Sequence, residues 1–271
     1  MRSRSRSRRR GDGGALAVGI GLAAAALAAL GGLGYVYAVQ PAPVARDASL
    51  CGPGAPPAVT AVLLDVSDPL PTAARKEVAT YLGDLVAALP AEGLLDVRAL
   101  DPAAPGGRPL ARLCNPGDGV GASALVANPA LMRDRWAKRF QAPVERALAQ
   151  GLDGGEAASS PIMATIQSIA LDLFAGRRVA SSDKRLVVVS DMVENAPGYR
   201  QRADNLSFAR FAAMPAHRDL RTDLAGAQVT LLYVQRANGF DTGRHVTFWA
   251  EWIRDSGGRL AEARKLQGLA R

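Results

Sequence analysis

Between Ala15 and Val39 the chain runs 25 residues without a charged side chain, mostly Ala, Leu and Gly. About 20 helical residues cross the hydrocarbon core of a bilayer, so a run of this length reads as a membrane span. Arginines stand just before it at positions 2, 4, 6, 8, 9 and 10, and Tyr35 and Tyr37 lie near its far end. Arginine keeps its flank in the cytoplasm, and tyrosine favours the headgroup level. The apolar stretch of a secretory signal is shorter, about 7–15 residues, and leads into a small-residue cleavage site. The run is therefore expected to be an uncleaved single-pass anchor, N-terminus inside, with everything after Gln40 outside; a cleaved signal is the alternative.

The same arginines carry most of the basic balance. Of 33 Lys+Arg against 25 Asp+Glu, six precede the run, which leaves 27 against 25. The near-neutral remainder gives no reason to expect a nucleic-acid partner, and the Arg/Ser tail reads as a topology determinant that also meets anionic lipid. Two Cys and two His exclude a disulfide scaffold, a four-cysteine zinc site and a His-rich metal centre. Residues 40–58 include Pro41, Pro43, Pro53, Pro56 and Pro57 and read as an extended tether. Cys51 in that tether and Cys114 beyond a strand pattern would pair in an oxidising, extracytoplasmic space. The expected organisation is a basic tail over 1–14, a transmembrane helix over 15–39, a tether over 40–58 and one domain over 59–271.

Within that domain strand and helix patterns alternate. Val59–Leu64, Leu186–Val189 and Val229–Val234 are apolar, β-branched runs of the kind buried on both faces of a parallel sheet. Leu94–Leu100 and Pro109–Leu113 predict an edge hairpin around the turn-rich stretch 101–108. Helical spacing covers Thr72–Leu89, Pro129–Leu152 (broken near Pro143), the stretch after Ser160–Pro161, and the face Val246, Trp249, Ile253 before Gly257–Gly258. Ser160 and Pro161 read as N-cap and first helical position. Phe248, Trp249 and Trp252 read as core, and His217 and His245 as surface or loop residues. The pattern predicts an open, mostly parallel α/β sheet with helices on both faces, and such sheets work at the carboxyl ends of their strands, at a topological switch point.

At those ends stand Leu63–Leu64–Asp65–Val66–Ser67–Asp68–Pro69, then Ser160–Pro161, then Val188–Val189–Ser190–Asp191. In order and in strand–helix context these motifs resemble the metal-ion-dependent adhesion site of von Willebrand factor A domains, over about 200 residues from Val59 onward. The resemblance implies a vWA-like fold and a candidate metal set of Asp65, Ser67, Ser160 and Asp191, holding Mg²⁺ or Mn²⁺ through oxygen ligands. Pro69 stands where the family's pattern has a serine, which removes one hydroxyl. Asp68 adds a nearby charge. A weakened divalent site and a fold that keeps an inert site are both compatible with these residues.

Three functions compete. A membrane-anchored extracytoplasmic module that recruits another protein, placed in a bacterial inner membrane, accounts for anchor, tether and strand-end oxygens, and the layout resembles a group of bacterial membrane proteins of undefined role. A metal-free structural subunit of an envelope complex is the alternative. A hydrolase is the third, but Ser67 occupies the position where a haloacid-dehalogenase pattern needs a second Asp. A Gly-x-Ser-x-Gly elbow and a phosphate-binding Gly-rich loop are also missing from the sequence. The expectation is a binding module, not an enzyme, with an unnamed protein and the membrane as its partners.

Overall fold

The computed structural model describes residues 12–38, 45–65, 67, 69–122, 127–153, 157–236 and 240–267. The arginine tail, Val39–Val44, Val66 and Asp68 lie outside the described residues, and so do the expectations placed on them. The chain divides into two units, Met1–Pro43 with Gly121–Asn128, and Val44–Val120 with Pro129–Arg271. In the first, α1 (Asp12–Ala38) is one continuous helix. Its segment Leu16–Ala38, 23 residues, is long and apolar enough to cross a membrane. At 1.5 Å per residue it spans about 35 Å.

The second unit is built on a six-stranded sheet of order β3-β2-β1-β4-β7-β8. The strands are β1 (Ala58–Leu64), β2 (Leu94–Asp101), β3 (Ala104–Cys114), β4 (Asp183–Ser190), β7 (Gln228–Tyr233) and β8 (Arg259–Lys265). A separate two-stranded ribbon pairs β5 (Asn195–Ala196) with β6 (Tyr199–Arg200). All pairings in the large sheet are parallel except β2–β3. From β1 the chain moves outward through β2 and β3, then returns to lay β4 on the other side of β1. The switch point therefore lies between β1 and β4, where Leu64 pairs with Val189.

All seven residues of β1 are buried, because helices cover both faces. Val59, Ala61, Leu63, Leu186, Val188, Val229 and Leu231 face one layer, formed by α5 (Ile162–Ile169), α6 (Phe208–Ala212) and α8 (Thr242–Asp255). Val62, Leu64, Leu95, Val97, Val187, Val189 and Leu232 face the other, formed by α2 (Thr72–Ala87) and α4 (Ala142–Leu152). The alternation is the period-two geometry of a strand, with both faces apolar. Phe248, Trp249 and Trp252 are buried in the first layer, as their helical spacing implied. The remaining helices are α3 (Pro129–Trp136) and α7 (Pro215–Leu220).

The helical stretch Pro129–Leu152 is broken near Pro143, where the sequence placed the break: a π-turn at Ala137–Gln141 precedes the proline, whose ring cannot follow a regular helical turn. The edge hairpin is tighter than the sequence implied: β3 already begins at Ala104, so residues 102 and 103 alone make the turn. Gly107, at φ 73°, lets β3 pass close to β2, where an added Cβ would lie 3.0 Å from the Ala99 carbonyl oxygen. Beneath this hairpin Arg98 ties β2 to neighbouring elements, pairing with Asp96 at 2.6 Å, donating to the Gly106 carbonyl at 3.0 Å and contacting Asp172.

The tether is not extended from Ala45 onward; it is packed against the domain. Leu50 is buried, and the Cys114 N–H donates to the Ser49 carbonyl at 2.9 Å. Arg178 donates to the carbonyls of Gly52, Pro53 and Gly54. Cys51 and Cys114 form a disulfide.

Candidate functional site

At the switch point the chain leaves β1 at Asp65 and leaves β4 at Ser190 and Asp191. Register sets Asp65 beside Ser190, since Leu64 pairs with Val189 and the Asp65 N–H donates to the Val189 carbonyl at 2.8 Å. Asp65 is 3% exposed and works as a hub. Its Oδ2 accepts the hydroxyls of Ser160 at 2.8 Å and Ser190 at 2.6 Å, and its Oδ1 accepts the Ser67 N–H at 3.4 Å. Hydrogen bonds to a carboxylate are stronger than neutral ones, so this one side chain pins three loops from separate parts of the chain. The Ala157 N–H adds a bond to the Ser67 carbonyl at 3.1 Å.

Asp65 therefore gathers Ser67 and Ser160 at one rim. Ser160 has a different role there from the N-cap. Helix α5 begins at Ile162 with Pro161 before it and no side-chain cap, while the Ser160 hydroxyl turns to Asp65. Its backbone forms a two-bond bridge with Asn195, at 2.8 and 3.0 Å.

Behind this rim lies a polar layer that the sequence did not mark. Glu194 is fully buried, and its Oε2 accepts the Met163 N–H at 2.8 Å at the start of α5. Burial pushes its carboxyl up to about 8 and the charge of Asp65 adds to this, while the bond from Met163 works against it. The acid is thus largely protonated at neutral pH. The Glu194 N–H donates to Gln201 Oε1 at 2.9 Å. That fixes the amide oxygen; His245 Nε2 lies 3.0 Å from it and 3.1 Å from Trp249 Nε1, and His245 Nδ1 lies 2.8 Å from the Tyr233 hydroxyl. Burial lowers the His245 imidazole to about 4 and keeps it neutral. His245 is thus a core residue and not the surface residue expected from sequence. Trp249 Nε1 closes the layer with a bond to the Met192 carbonyl at 2.8 Å. Met192 itself sits at φ 63°, an uncommon conformation for a non-glycine residue, held by a bond from its N–H to Ser190 Oγ at 2.8 Å.

Asp191, the last residue of the metal set, is on the same rim with its carboxylate engaged elsewhere. Its Oδ1 accepts the Val193 N–H at 3.0 Å, and its Oδ2 lies 3.2 Å from Nε of Arg236. Pro69 is exposed and offers no side-chain oxygen. A hard divalent cation needs about six oxygen ligands, with carboxylates free to face it. Here Asp65 already accepts two hydroxyls on Oδ2 and an N–H on Oδ1, and Asp191 is ion-paired with a guanidinium. Among the described residues, no group of three or more His, Cys, Asp and Glu could hold a metal ion. The donor set present does not fit Mg²⁺ or Mn²⁺.

No family model matches the chain, and no curated protein matches it. Among solved structures, the VWA domain of SpRpn10 is similar at 10% identity and TM-score 0.38, over 78% of this chain and 90% of that one. An aerotolerance-related membrane protein from Bacteroides fragilis matches at 14% identity and TM-score 0.38, over 78% and 92%. The manganese-loaded TRAP protein of Plasmodium vivax matches at 12% identity and TM-score 0.36, over 70% and 61%. The domain itself is a doubly wound, mostly parallel α/β sheet with helices on both faces.

Proposed function

We propose that the chain is a single-pass membrane protein, N-terminus in the cytoplasm and domain outside, in a bacterial inner membrane, and that the domain recruits another protein through the rim at the ends of β1 and β4. It acts as a binding module and not as an enzyme. The observation that carries this reading is the Asp65 hub. One buried carboxylate holds three segments of the chain in a fixed arrangement at the switch point. Loops ordered in advance lose little entropy when a partner docks, so the same bonds that stabilise the rim favour binding.

Pro69 is exposed beside the hub, so Pro69→Arg places a long charged side chain on the rim without touching the core. Full-length wild type and P69R, solubilised from native membranes, are compared by quantitative co-purification and by thermal unfolding. The reading expects a stoichiometric partner with wild type that P69R loses at unchanged melting temperature. A partner retained by P69R moves the interface elsewhere on the domain and favours the structural-subunit alternative.

Topology is tested separately by a membrane-impermeant maleimide on intact cells. Leu171, 68% exposed, marks the domain. Leu171→Cys should label and Ser5→Cys should not; labelling of S5C on intact cells would reverse the orientation.

A further inference from the structure

The disagreement between the motif order and the donor set points to a specific substitution of one cation for another. We propose that the guanidinium of Arg236 takes the electrostatic place of a divalent cation at this rim, so that the site is closed to metal and is held by a charge the chain carries itself.

Arg236 lies just beyond β7, the strand next to β4, where Ser190 pairs with Tyr233. It therefore reaches the switch-point rim from the third strand end. The Arg236 and Asp191 side chains are 11% and 17% exposed, so the pair is shielded from the solvent that weakens surface ion pairs. A guanidinium stays charged across all physiological pH and is less strongly hydrated than an ammonium, which suits it to a partly buried position. It supplies positive charge to Asp191, as an ion would, while Asp65 is satisfied by Ser160, Ser190 and the Ser67 N–H. A dication entering this space would meet a fixed positive charge and would have to displace it from Asp191. The loss of a hydroxyl at Pro69 fits the same picture, because a site that binds no ion needs no third hydroxyl ligand.

The inference locates itself on the rim assigned above to recruitment, but its test needs no partner, so the two fail independently. Full-length protein in phosphatidylcholine nanodiscs is titrated with Mn²⁺ alone, read by loss of the free-ion electron paramagnetic resonance signal and by the shift in melting temperature. Wild type and Arg236→Lys should bind no Mn²⁺ beyond empty nanodiscs. Arg236→Ser removes the charge and adds an oxygen, and should gain binding by about tenfold or more with a melting temperature that rises on adding Mn²⁺. Adding Asp191→Asn to R236S should abolish that gain. Mn²⁺ binding by wild type that D191N removes would overturn the proposal, and so would a folded R236S that stays silent. If R236S does not fold by circular dichroism, wild type and R236K decide: silence in both upholds the exclusion of metal, and binding in either refutes it.

Discussion

Glu194 shows how much a single buried acid can govern behaviour without touching solvent. Its carboxyl, raised to about 8 chiefly by burial, holds a proton that the unfolded chain, titrating near 4.5, releases earlier. The stabilisation is complete below about 4.5 and is lost as pH rises through about 8. His245 has the opposite sign: its imidazole is depressed to about 4 from 6.5, so its contribution is present above about 6.5 and lost as pH falls through about 4. The two oppose each other in the overlap. Between about 6.5 and 8 Glu194 acts without His245, with a slope of about 1.4 kcal/mol per pH unit toward lower stability. Glu194→Gln keeps the acceptor for Met163 and removes the titration. Chemical denaturation from pH 6.5 to 8 should therefore show the wild-type decline flattened in E194Q; an equal decline in both would show that another group titrates there.

The sequence signalled the elements carrying the site because each has a local pattern. Continuous apolar runs gave β1, β4 and β7, and i, i+3, i+4 spacing gave α2 and α8. Edge strand β8 escaped because its residues alternate between exposed and half-buried and four of the seven are charged, a common device at sheet edges. The short ribbon β5–β6, with two residues in each strand, has no periodicity to detect. Packing between elements sets a further requirement at Gly151 in α4. A Cβ there would lie 2.3 Å from Leu64 Cδ1 and 2.7 Å from Leu110 Cδ1, so glycine lets α4 settle onto β1 and β3. Leu64 is fully buried and has little room to yield. Although alanine favours a helix, Gly151→Ala should destabilise the domain by about 1–3 kcal/mol in urea unfolding, because overpacking outweighs propensity. A neutral or stabilising G151A would mean that α4 can shift without cost.

For the whole molecule, the disulfide and the contacts of Arg178 turn the segment from Ala45 to Pro57 into part of the domain. The bridge closes a separation of 63 residues, from the pre-sheet segment to the end of β3. In the chain-entropy picture such a loop contributes about 4 kcal/mol through the unfolded state. Cys51→Ser with Cys114→Ser should lower stability by that order in oxidising buffer. The same variant should match wild type once both are reduced; a difference that survives reduction would assign the effect to packing at Cys114, which is buried, and not to the crosslink.

The long apolar N-terminal helix, the alternation of strands and helices and the succession of Asp65, Ser67, Ser160 and Asp191 were readable from the chain alone, because burial on both faces of a strand and a long uncharged run leave their mark on consecutive residues. What those four residues do was not. The Ser160 and Ser190 hydroxyls reach Asp65 across 95 and 125 positions, and the choice between capping a helix and bonding a carboxylate is made only when the strands align. The proton on Glu194, the neutral His245 and the guanidinium against Asp191 likewise arise from desolvation and from charges that folding brings together. Local pattern carried the scaffold; long-range electrostatics, created only by the tertiary structure, assigned the chemistry of its rim.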